Sequence, residues 1–419
     1  MPVSGAELFS TSWTVHRVSP LYHSNETAEN TLFDAPGSLR VYANRLRDTL
    51  TGNVLGGIVQ LATTVDDITV LDNAIAKAGP LHDCRWEILP TWGYWNEEYS
   101  ILEDPDQDDP LIIPAEHSAG IFISLDYQHA KYKAALLAGP DGYHSPIDGE
   151  QGGTTYLPLL ITRMPNALRQ SLVSFLSENF DVRVSLLRLP SSFLCASLEG
   201  YLAMLNQLAI RTQRSTIRRA SSTSITTIES RAFVESIVKE VQLTLSFQPS
   251  IAAQLKSLVV SLPRESLNAF YISGLSSSNN IKGSNSSSTA RDKPTAPFLT
   301  ALAQYFDQHL AMKLDQTDFT AEASSPASEK KPPIRLTKVS CGAFVLGSEG
   351  RVKFLANPGR TITVDDSDTD DGAGGENLDI DETQKRLVWK ANEQLLRALI
   401  ARSIGGQQEQ NGGHTNTTS

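Results

Sequence analysis

Apolar side chains in this chain recur at every second position over short stretches, and each stretch is cut off by proline, glycine or a polar tract. That pattern selects short half-buried strands separated by helices, and it excludes a long coiled coil or a membrane bundle. Phe9-Ser10-Thr11-Ser12-Trp13-Thr14-Val15-His16-Arg17 is the first such stretch. Residues 54–62, 84–89, 120–127, 155–163, 182–187, 238–247 and 258–262 follow as predicted strands. Helical spacing is expected over 39–50, stopped by Gly52, and over 166–179, 192–206, 250–255 and 264–272. No run approaches the ~18 apolar residues of a membrane span.

Polar tracts divide the 419 residues into parts. Residues 1–150 read as an N-terminal α/β part and 151–273 as a central part. Residues 274–293 are rich in Ser and Asn and are expected to be a disordered linker, because they cannot bury enough apolar surface to order themselves. A helix is expected within 294–319, a second linker over 320–333, a hairpin plus helix over 334–404, and a disordered tail over 405–419. A weaker break runs from about Thr212 to Ser230. In the central part a strand, a proline and a helix follow one another twice, around Arg163-Met164-Pro165 and again around Phe247-Gln248-Pro249. This order is consistent with an internal β-α-β-α duplication, although strand–proline–helix junctions are common in unrelated folds.

The C-terminal part is the clearest. Residues 334–346 and 351–355 flank Gly347-Ser348-Glu349-Gly350 as a hairpin. The helix predicted over 382–403 carries an apolar stripe of Val388, Ala391, Leu395 and Leu399, widened by Leu396 and Ile400. The hairpin, or the sheet edge next to it, is a candidate pairing surface, with Val339, Phe344, Leu346, Val352 and Phe354 as contacts. The same five residues also suit a core beneath the last helix.

Charge is segregated. The net charge is −11, yet residues 97–109 hold seven carboxylates and 365–382 hold nine, with no Lys or Arg among them. Removing those sixteen negative charges leaves the rest of the chain at +5, which permits an acidic or nucleic-acid partner. Arg211, Arg214, Arg218 and Arg219 lie in the weak break as a phosphate-binding cluster or a solvated loop. Ser221, behind two arginines, is a candidate phosphosite. Trp86, Trp92 and Trp95, with Tyr94 and Tyr99, form either a recognition surface or a loop packed on the core. Ile362, Val364, Asp365 and Asp366 resemble a SUMO-interacting segment, which would add a strand to a sheet edge. Ser367 among the acids is a second candidate phosphosite.

Signs of catalysis are missing. Gly342 and Gly347 have phosphate-loop spacing, but Ser348-Glu349 follow instead of Lys and Ser or Thr. The acidic run at 366–370 breaks the calcium-loop pattern at Asp371. The eight histidines form no zinc-type pair, and no G-x-S-x-G elbow occurs. Cofactors and metals are therefore not expected. Three widely spaced cysteines argue for a reducing compartment, cytosol or nucleus, and the first residues lack the pattern of a secretory signal.

Four blocks bear a resemblance to a known family. They are the stretch from Leu8 to Tyr22, Tyr156-Leu157-Pro158-Leu159-Leu160-Ile161-Thr162-Arg163-Met164-Pro165, the stretch from Leu186 to Leu194, and Lys239-Glu240-Val241-Gln242-Leu243-Thr244-Leu245-Ser246-Phe247. Together they resemble the fungal CENP-L family, an inner-kinetochore subunit of the constitutive centromere-associated network. The resemblance implies an α+β fold of curved, mostly antiparallel sheets with helices on one face, and a non-enzymatic scaffold in the nucleus. It also implies pairing with a CENP-N-type subunit at centromeric chromatin; whether a homodimer forms when that partner is absent stays open at the level of sequence. The rival readings are a DNA- or nucleosome-binding module with a basic concave sheet, and an enzyme with a dispersed site.

Overall fold

The computed structural model describes residues 5–9, 11–22, 32–33, 37–56, 77–90, 119–139, 142–143, 154–217, 234–247, 254–280, 296–310, 312, 334–355 and 382–411. They divide into two compact units. The first draws on Met1–Leu8, Ser12–Leu187 and Leu396–Ser419, the second on Phe9–Thr11 and Arg188–Leu395. The fold is mixed α+β, and every strand pairing within each unit is antiparallel.

In chain order the first unit contains β1 (Ser12–Val18), β2 (Leu21–Tyr22), α1 (Ser38–Gly56), β3 (Leu81–Pro90), β4 (Ala119–Tyr127) and β5 (Lys131–Leu137). Then come β6 (Thr154–Thr155), β7 (Leu159–Arg163), α2 (Asn166–Phe180) and β8 (Val184–Leu186). The strand order is β1-β7-β5-β4-β3, with β8 also on β1 and a separate β2–β6 pair. Register lines up Ile121, Leu136, Leu160 and His16 across four strands, and Ile123, Ala134, Thr162 and Thr14 in the next row. Helices α1 and α2 contribute Leu46, Leu50, Leu172, Phe175 and Phe180 to the core that covers this face. Trp86 on β3 packs among Tyr42, Phe175 and Phe180 with ring centroids 6.1–6.5 Å apart, so this tryptophan belongs to the core.

The second unit contains α3 (Ser191–Ile217), a helical turn at 234–238, β9 (Val241–Phe247), β10 (Ser257–Leu262), α4 (Arg264–Asn280) and α5 (Pro297–Leu310). It continues with β11 (Ile334–Ser340), β12 (Phe344–Gly347), β13 (Arg351–Phe354) and the start of α6 (Glu382–Asn411). The strand order is β10-β9-β11-β12-β13. Alternate residues point inward: Val241, Leu243, Leu245, Leu336, Val339, Phe344, Leu346, Val352 and Phe354 are all buried. Helix α3 meets this layer through Tyr201, whose ring stands edge-on to Phe344 at 4.8 Å. Its hydroxyl donates to Asn392 Oδ1 of α6 at 3.1 Å, and Asn392 Nδ2 donates to the Leu355 carbonyl at 3.0 Å. The stripe of α6 is buried as expected.

Several elements depart from expectation. Helix α1 runs through Gly52 to Gly56, where a strand was expected from Val54. A helix tolerates one glycine at about 1 kcal/mol, and Thr49 and Thr51 hydroxyls bond back to the Arg45 and Arg47 carbonyls. The strand expected from Val238 starts at Val241, after the chain turns at Lys239 with φ of +54°. The long first arm of the C-terminal hairpin is two strands, broken at Cys341-Gly342-Ala343. There Gly342 approaches residue 237 so closely that a Cβ would lie 2.4 Å from the Ile237 carbonyl oxygen.

The two strand–proline–helix segments also fold differently. α2 connects β7 to β8, and both strands pair with β1. By contrast β9 and β10 pair directly with each other, and Gln254 and Leu255 are not helical, so no helix of the expected extent fills the connection. Helices α3, α4 and α6 run past their expected ends, to Ile217, Asn280 and Asn411.

Candidate functional site: an open strand edge and a cationic sheet face

Among the described residues β10 pairs only with β9. The phase of that ladder follows from one bond: Phe247 N–H donates to the Lys256 carbonyl at 3.2 Å, and Phe247 lies opposite Lys256 in the register. In an antiparallel pair, hydrogen-bonded and non-bonded positions alternate. Leu258 and Val260 therefore direct their N–H and C=O groups toward β9, whereas Ser257, Val259 and Ser261 direct theirs away from it. The free edge thus presents three donors and three acceptors over about 14 Å. It carries no charge and no proline within Ser257–Leu262, and Val259 is 57% exposed.

A terminal strand of the first unit's sheet is built differently. β3 pairs only with β4 among the described residues, and it displays Asp83, Arg85 and Glu87 at alternate positions. Arg85 is tied to Asp126 at 2.6 Å and to Asp83 at 3.0 Å. Charged side chains along an edge discourage a further strand. β10 has no such guard.

The outer face of the second unit's sheet has its own character. Its five strands contain Arg335, Lys338, Arg351 and Lys353 and no carboxylate. A bulge at Thr337, whose hydroxyl donates to the Thr244 carbonyl at 3.0 Å, keeps Arg335 and Lys338 on the same exposed side. Gln242, Thr244 and Ser246 of β9 flank the β11 cations on one side, and Val345 and Gly347 of β12 separate β11 from Arg351 and Lys353 on the other. The nearest acid in the hairpin is Glu349, in the β12–β13 turn.

Sequence-predicted site residues fall in three places. Val339, Phe344 and Leu346 are 0% exposed, and Val352 and Phe354 are 2% exposed. Phe354 packs edge-on against Phe9 at 5.9 Å. Side chains so enclosed belong to the core, the other reading given for them; period-two burial put them inside. Arg211 and Arg214 lie on α3 rather than in a break. Ile362, Val364, Asp365, Asp366, Ser221, Ser367, Arg218, Arg219, Trp92, Tyr94, Trp95 and Tyr99 lie outside the described residues. The outer-face cations were missed, although Arg335, Arg351 and Lys353 alternate with apolar residues in the sequence itself.

Titratable groups in the interior are dispersed. Burial, helped by Arg169, lowers the His16 imidazole to about 4, so it is neutral at physiological pH. Burial pushes the Cys84 and Cys341 thiols up to about 12 and about 11. Among the described residues no three His, Cys, Asp or Glu side chains gather as a metal site, and no helix is long and apolar enough to cross a membrane.

The family model for centromere protein L matches residues 7–404, nearly the whole chain. The chain belongs to the CENP-L family. No curated protein matches it. CENP-L proteins are structural components of the kinetochore, so this chain is a nuclear centromere protein and a subunit of a protein complex. Of the four CENP-L-like blocks, the first covers β1 and β2, the second β7, the third the passage from β8 into α3, and the fourth β9.

Proposed function

We propose that this CENP-L chain assembles with a CENP-N-type subunit by accepting one of its strands at the free edge of β10. The observation that carries the reading is the outward aim of the Ser257, Val259 and Ser261 backbone groups on a strand with neither charge nor proline. The same edge suits a homodimer when the partner is absent. Ser257-Leu258-Val259-Val260-Ser261 set antiparallel to a second copy places Ser opposite Ser, Leu258 opposite Val260 and Val259 opposite itself. The test is a pair of proline substitutions. Val259→Pro removes an N–H that faces away from β9, so the fold survives and affinity for the CENP-N-type subunit falls at least about tenfold. Val260→Pro breaks the β9–β10 ladder and destabilises the second unit. Unchanged partner binding by a folded Val259→Pro chain would refute the reading.

The cationic outer face favours a second reading, direct contact with DNA phosphates at centromeric chromatin. Four phosphate contacts would make log K fall with log salt at a slope of about −3.6. Replacing Arg335, Lys338, Arg351 and Lys353 by alanine would flatten that slope. Absence of a salt-dependent DNA affinity in the isolated chain would remove this reading and leave the first standing.

A further inference from the structure

Resting on the strand-addition reading, we infer that the strand accepted at β10 obeys a fixed pattern: five residues antiparallel to β10, uncharged and apolar at the second and fourth places, and free of proline at the first, third and fifth.

The pattern follows from the phase of the ladder and from a gradient of burial. The residues facing Ser257, Val259 and Ser261 form the hydrogen-bonded pairs of the new ladder, and their side chains lie on the outer, solvent side. Proline at any of them would delete a bond to β10. The residues facing Leu258 and Val260 lie on the inner side, at the margin of the core. One strand further in, Leu243 and Leu245 are 2% and 0% exposed, whereas Leu258 and Val260 are only half-buried. An added strand completes that cover only with apolar side chains at these two places, and a charge there would be buried without a partner.

Charge on the outer side does not select the strand. The outer-face cations begin on β11, two strands from β10 and three from the docked strand. That is about 14 Å away, beyond the ~8 Å screening length at physiological salt. The middle place, opposite exposed Val259, accepts a β-branched residue, and the flanking outer places accept hydroxyl side chains opposite Ser257 and Ser261.

The test uses the full chain bound to its CENP-N-type subunit. All three native cysteines (Cys84, Cys195 and Cys341) are buried, so Val259→Cys introduces an exposed thiol that takes a photo-crosslinking label selectively. The expected product joins position 259 to a partner residue with apolar neighbours on both sides. A partner variant with Asp at either neighbour then binds about a hundredfold more weakly. A product whose neighbours are charged, or an Asp variant that binds normally, overturns the pattern while leaving strand addition at β10 intact. A stable complex that yields no product from position 259 overturns the strand-addition reading itself. A product joining two copies of this chain within that complex overturns the heteromeric occupant.

Discussion

Replacing Glu199 by alanine should detach α5 from the second unit. This glutamate, on α3 and 5% exposed, accepts the Phe298 N–H at 3.2 Å and the Leu299 N–H at 3.0 Å through its two carboxylate oxygens. It therefore serves the first turn of a helix ninety-nine positions away, as a capping side chain does from within its own sequence. Phe298 and Leu299 are buried, so alanine leaves two donors that water cannot reach, at about 1–3 kcal/mol each. Part of that is returned because a carboxylate no longer has to be desolvated, and the net expectation is about 3 kcal/mol. For a unit of this size the loss corresponds to a fall in Tm of roughly 6–12 °C. Glutamine, which keeps one acceptor, should cost about half as much. The assay is denaturant unfolding combined with hydrogen exchange over residues 298–306. A loss below about 0.5 kcal/mol, or unchanged exchange across α5, would refute the reasoning.

The same residue sets a pH signature. Burial raises the Glu199 carboxyl above its ordinary value of 4.5, against the lowering effect of its two N–H bonds. The folded chain therefore binds this proton at a higher pH than the unfolded chain does. Its contribution to stability is full below the ordinary glutamate value and is lost as pH rises through the window up to the raised value. Glu199→Gln should remove that part of the slope.

Two further substitutions probe the same unit. Gly274→Ala would place a Cβ 1.8 Å from the Pro297 carbonyl oxygen, so α4 and α5 must separate, at a cost of about 2 kcal/mol or more by thermal denaturation. Asn392→Leu strands the Tyr201 hydroxyl and the Leu355 carbonyl in the core, at about 2 kcal/mol, and combining it with Tyr201→Phe should recover part of the loss.

The parts of this fold that were legible in the sequence are those whose packing is local and periodic. Val241-Gln242-Leu243-Thr244-Leu245 alternates in sequence and in burial, and the stripe of α6 follows helical spacing into the core. β5 went unseen because Ala134, Ala135, Leu136 and Leu137 are buried on both faces, which erases the period-two signal. Glu199 went unseen because nothing near it in sequence says which helix it will cap. β10 was expected as a strand over 258–262, but its free edge could not be singled out, since strand order decides which backbone groups remain unpaired. The family blocks coincide with strands and their junctions, so the resemblance reported architecture rather than a surface.

Residue-resolved hydrogen exchange across β10 tests the central claim most directly. In the dilute, monomeric chain the amides of Ser257, Val259 and Ser261 should exchange rapidly while those of Leu258 and Val260 are protected by β9. In the complex with a CENP-N-type subunit all five should be slow. Edge amides that stay fast in that complex would contradict the account.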